Sequence, residues 1–97
     1  MKISELTRFD MADYLDSEEA IAEYLSLVIA ENDSAAFVQA LGTVARARNM
    51  TELAEKTGLN RESLYKALSG NINPRFETIN KVINALGLQI KVLPLEA

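Results

Sequence analysis

The 97-residue chain contains no cysteine and no histidine. Without thiols, neither a disulfide framework nor a thiolate metal site can form. Without imidazole, a Ser-His triad, a histidine acid–base pair and a histidine-ligated metal are excluded. Long apolar runs are missing too. No segment reaches the roughly 18 apolar residues of a membrane span, and Met1–Arg8 lacks the apolar run of a signal peptide. A cytoplasmic protein with no membrane partner is expected. No Gly/Ser/Pro-rich linker, internal repeat or low-complexity tract divides the chain, and its length suits one domain, 1–97, with a core of modest size.

Basic charge is also in short supply, with a net charge of −4. Its distribution is more informative than its sum. Residues 1–36 hold Lys2 and Arg8 against nine Asp and Glu, a net of −7, whereas residues 37–97 hold eight Lys and Arg against five Glu, a net of +3. One part can face solvent or a basic partner while the other faces phosphate.

The periodicity is mainly helical. Ser17-Glu18-Glu19 supplies a capping serine and two acids for a first turn, followed by an apolar stripe of Ala20, Ile21, Tyr24, Leu25, Val28 and Ile29. Asn32-Asp33-Ser34 ends that helix and caps the next, which runs through Phe37, Val38, Leu41, Val44 and Ala45 to about Arg48. An acidic helical extension thus spans about 1–33. A last helix is expected from Pro74, at its first position, to about Leu86, with Gly87 just beyond its end. Leu88–Leu93 alternates and is rich in β-branched residues, which predicts a short C-terminal strand. A lone strand cannot satisfy its own backbone groups, so it needs either Ile3–Phe9 or a second copy across a two-fold axis.

Between these lies TELAEKTGLNRESLYKAL, Thr51–Leu68. Leu53, Ala54 and Thr57 repeat at helical spacing, Gly58 interrupts, Leu59 is an apolar plug, and Leu64, Ala67 and Leu68 form a second periodic set. Thr51 can cap the first helix, with Glu52 in its first turn, and Asn60 can cap the second, followed by Glu62. Two short helices about a glycine turn form the arrangement that sets one helix in the DNA major groove. Such pairs also recur in all-α proteins with merely solvated outer faces. Here Arg61, Glu62, Ser63, Tyr65 and Lys66 face outward, types suited to base edges and phosphates. Thr51, at the start of the first motif helix, is added to this DNA-facing set. Ser69, Asn71, Asn73 and Arg75 follow in a turn-rich loop of the kind that holds phosphate beside a recognition helix.

Phe9–Leu25, Ala36–Met50 and Thr57–Leu88 together resemble the bacterial addiction-module antidote proteins with a Cro/repressor-like (Xre-type) helix-turn-helix. GLNRESLYKALS followed by NPRFETI carries most of that likeness. The resemblance implies a lambda-repressor-like bundle of about five helices and an antitoxin of a type II module. Such a protein would bind and neutralise a small basic toxin similar to the RelE/ParE group and repress its own operon as a homodimer on double-stranded DNA. On this chain Arg61–Leu68 would be the recognition helix, with Ser69, Asn71, Asn73 and Arg75 as phosphate ligands. Ala97 follows the strand closely, so neutralisation is expected to use the folded surface, the acidic N-terminal part above all.

Two other function classes remain open. Glu62 on the outward face repels phosphate unless it accepts from cytosine N4, which suits a protein-binding adaptor; a stand-alone regulator without a toxin would read the same way. An enzyme is disfavoured. Asp10, Asp13 and Asp16 at i, i+3, i+6 read as a solvated or capping cluster rather than a metal site, and no Gly-rich phosphate loop or cofactor motif accompanies them. Tyr14 and Tyr24 read as packing residues. Arg46 and Arg48 suit either the DNA backbone or the C-terminal end of their own helix.

Overall fold

A computed structural model describes residues 15–95 of the chain. Five helices follow one another among them: α1 (Glu18–Ile29), α2 (Ser34–Arg48), α3 (Met50–Thr57), α4 (Arg61–Ala67) and α5 (Phe76–Ala85). Local chemistry sets most of their starts. The side chains of Ser17, Asp33 and Asn60 accept the backbone N–H groups of Ala20, Ala36 and Ser63 at 3.1, 3.0 and 2.7 Å. Each satisfies a donor that the first helical turn would leave bare.

Two helix boundaries differ from expectation. Thr51 does not cap α3; it lies inside the helix, and Asn49 caps instead, accepting from Glu52 N–H at 3.0 Å. Asn49 N–H also bonds the Ala45 carbonyl at 3.1 Å, so one residue closes α2 and opens α3. Asparagine is the better cap, and the buried Ala45 and Met50 fix where the bend must fall. Pro74 is likewise not the first residue of a helix. It precedes Arg75, whose extended backbone (ψ 147°) is the N-cap position of α5, with no side-chain cap bond.

The C-terminal strand is not formed among the described residues. Residues 88–95 carry no ladder, because a strand exists only when a neighbour completes its hydrogen bonds. Of its two expected partners, Ile3–Phe9 lies outside the described residues and a second copy is not part of the single chain. What the segment does have is a firm start. Gly87 sits at φ 84°, Leu88 N–H reaches back to the Ile83 carbonyl and Gly87 N–H to that of Asn84. This is the paired-bond termination that favours a left-handed glycine.

The core draws on every helix. Ile21 and Val28 of α1, Leu41 and Val44 of α2, Leu64 of α4 and Val82 of α5 are fully buried, with Leu53 of α3 and Leu68 beside them. Leu15 and Tyr24 join this cluster, while Ala54 and Leu59 pack half-buried against it. Gly42 permits a close approach between α2 and the end of α4: a Cβ there would stand 2.6 Å from the Leu68 carbonyl oxygen.

Candidate nucleic-acid interface

α3 and α4 are joined by Gly58, Leu59 and Asn60 alone, with Gly58 in the left-handed conformation at φ 77°. Thr57 locks that corner. Its hydroxyl donates to the Leu53 carbonyl at 2.8 Å and accepts from Leu59 N–H at 3.3 Å. Leu64 and Leu68 anchor the inner side of α4. The angular setting of α4 is therefore held by buried contacts, leaving its other face unencumbered.

All five expected residues of that face, Arg61, Glu62, Ser63, Tyr65 and Lys66, are exposed. The Arg61 guanidinium carbon lies 5.9 Å from the Tyr65 ring centroid, a cation–π approach one turn along the helix. Thr51 is exposed on the first turn of α3. Asn71, Asn73 and Arg75 are exposed in the loop after α4. Ser69 is half-buried and occupied: its hydroxyl donates to the Lys66 carbonyl at 2.9 Å and accepts from Asn71 N–H at 3.1 Å. Its one proton thus shapes the loop, and only a remaining lone pair faces outward.

The charges divide into paired and unpaired. Lys56 meets Glu52 at 2.8 Å and Lys81 meets Glu77 at 3.3 Å, both one turn apart on exposed helix surface. The hydrogen bond and then the charge of Lys56, helped by Arg48, hold the Glu52 carboxyl below its ordinary range. Arg61, Lys66 and Arg75 make no ion pair among the described residues. These three cations lie on α4 and its following loop. Opposite in character is α1, where Glu18, Glu19 and Glu23 are exposed acids, with the exposed Asp16 just before it. Tyr24 is buried among apolar neighbours, as expected; burial, and then the charge of Glu31, raises its phenol above the ordinary value of 10.0.

The structure adds two residues that the sequence did not single out. Gln39 of α2 reaches the loop after α4, lying so close to Gly70 (φ 85°) that any Cβ there would collide with it. Asn49 joins α2 to α3. Gly70 next to Ser69 was the available signal for the first, and the Asn49–Glu52 spacing for the second. Among the described residues no group of three potential metal ligands converges, and no helix is long and apolar enough to cross a membrane. Asp10, Asp13 and Tyr14 lie outside the described residues.

Comparison with known proteins fixes the class. The family model described as "Probable addiction module antidote protein" matches residues 5–94, and the chain belongs to that family. An antidote by definition acts against a toxin, so membership implies a toxin partner. A protein of Haemophilus influenzae (strain ATCC 51907 / DSM 11121 / KW20 / Rd), described as "Uncharacterized protein", is 49% identical over 88 residues, covering 91% of each chain. No solved structure matches significantly.

Proposed function

We propose that this protein is a cytoplasmic type II antitoxin and autorepressor, a binding protein rather than an enzyme. It acts as a homodimer that reads its own operator DNA through a helix-turn-helix formed by α3 and α4. The observation that carries this reading is α4 itself. Its inner side is anchored by Leu64 and Leu68, while Arg61 and Lys66, with Arg75 beyond, present unpaired positive charge. A palindromic operator would receive two such helices about 34 Å apart. Arg61 is the base reader, held by Tyr65, and Lys66, Asn71, Asn73 and Arg75 contact phosphate with Thr51 from the adjoining helix. Ser69 shapes the loop that presents them.

The toxin is a small basic protein of the RelE/ParE kind. It meets the acidic side of α1, where Glu18, Glu19 and Glu23 supply the complementary charge. Glu62 favours one competing reading, a protein-binding adaptor, because an exposed carboxylate on α4 opposes phosphate. Glu62 also stabilises the first turn of α4, which reconciles it with DNA binding.

The test is binding of the gene's own upstream fragment against a scrambled fragment at low salt, with and without the adjacent gene's product. A specific shift supports the repressor. Absence of any shift in both conditions contradicts it and leaves the adaptor.

A further inference from the structure

The loop that leaves α4 spends two of its donors on itself. The Ser69 hydroxyl donates to the Lys66 carbonyl at 2.9 Å, and Asn71 N–H donates to Ser69 Oγ at 3.1 Å. Neither proton is left for a ligand. Between them stands Gly70 at φ 85°, and its N–H makes no hydrogen bond among the described residues. The side chain laid over Gly70 comes from α2. A Cβ on Gly70 would stand 2.7 Å from Gln39 Nε2 and 2.9 Å from Gln39 Cδ, so the carboxamide lies directly against the glycine. Gly42, one turn along α2, meets the Leu68 carbonyl, so Gln39 and Gly42 share the face of α2 that follows the exit of α4. Gln39 is nonetheless exposed, and its carboxamide makes no hydrogen bond among the described residues.

We propose that Gln39 is a DNA-backbone ligand, whose carboxamide donates together with Gly70 N–H to a phosphate of the operator. This rests on the DNA reading of α4 and adds to it a contact from outside the two motif helices. Two observations select a phosphate. Both groups are N–H donors, and the exposed Asn71, Asn73 and Arg75 follow them along the same loop. The two segments that meet here, residues 34–48 and 67–76, contain no acid, although the chain as a whole is acidic. An anion therefore meets donors and no carboxylate from either segment. Gly70 is required because any side chain on it would displace Gln39. Contacts of this kind position the protein on the duplex and carry no sequence information.

The test is a salt series on the gene's own upstream fragment and on a scrambled one, with wild type, Gln39→Met and Gln39→Ala. Methionine keeps an unbranched stem on Gly70 and removes only the carboxamide. Gln39→Met should weaken both fragments alike by about tenfold, the loss of one hydrogen bond to a charged group. It should leave the salt slope unchanged, because a neutral amide displaces no counterion. Its urea midpoint should match wild type, since Gln39 is exposed. Wild-type affinity in Gln39→Met, with the loss confined to Gln39→Ala, would overturn the proposal and make Gln39 a spacer beneath the loop. A loss confined to the upstream fragment would overturn it too, by assigning Gln39 to a base. A wild type that shifts neither fragment would remove the DNA reading and this contact together. A wild type that shifts its fragment beside an equally tight Gln39→Met would remove the contact alone.

Discussion

Asn49 ends one helix and starts the next with three of its atoms. Its N–H closes α2 on Ala45, its carbonyl accepts from Leu53, and its side chain caps Glu52 N–H. Asn49→Ala should therefore cost about 1 kcal/mol of folding stability in denaturant unfolding. Thr51→Ala, inside the helix and exposed, should stay within about 0.5 kcal/mol, and any effect on DNA affinity would then be direct. The two residues are both good caps two positions apart, so side-chain type alone did not choose between them. The choice came from which flanking residues are buried. Ser17 and Asn60 are legible because an acid in the first turn and an apolar period follow each, whereas Asp33 is legible only as one of the run Asn32-Asp33-Ser34.

Tyr24 makes a pH prediction at the same scale. Its folded pKa is raised above 10.0 by burial and by Glu31. The unfolded chain thus loses this proton first. The contribution is fully present below about pH 10 and is lost as pH rises through the raised folded value. Urea unfolding from pH 8 to 11 should show this alkaline decline, and Tyr24→Phe should flatten it. An equal decline in the variant would assign it to another group.

At the scale of elements, the spacing of α4 against α2 depends on Gly42. Alanine there gains about 1 kcal/mol of helix propensity. The new Cβ would nonetheless meet a backbone oxygen at 2.6 Å, so α2 and the end of α4 must separate. Overpacking of this kind costs about 1–3 kcal/mol, which outweighs the propensity gain. Gly42→Ala should melt at lower temperature and weaken DNA binding by shifting α4. A more stable variant with unchanged affinity would show that the contact positions nothing. The helices themselves were readable from apolar period and caps, and so was the left-handed stop at Gly87. The C-terminal strand was read from alternation and β-branching, which describe what a segment prefers and not whether a neighbour pairs with it. In the sequence Pro74 reads two positions too deep, at the first helical residue instead of just before the N-cap Arg75, because proline fits both places.

The whole molecule separates its charges. Three acids lie on α1, and three of the cations without an ion pair among the described residues, Arg61, Lys66 and Arg75, lie on α4 and the loop beyond. That separation is visible in the sequence as −7 against +3. Charge reversal on α1 should keep the two binding activities apart. Glu19→Lys/Glu23→Lys should weaken toxin capture, measured by co-purification, and leave operator affinity undiminished. Loss of both together would place the two partners on one surface.

The most direct test of α4 as the DNA reader is affinity for the upstream fragment across a salt series, with wild type, Arg61→Ala and Lys66→Ala side by side. Affinity should fall steeply with salt. Lys66→Ala should reduce the slope by about 1, while Arg61→Ala should cost about 1–3 kcal/mol and relax preference at one base. Binding that ignores salt, or that neither substitution changes, would contradict the assignment of α4 to DNA.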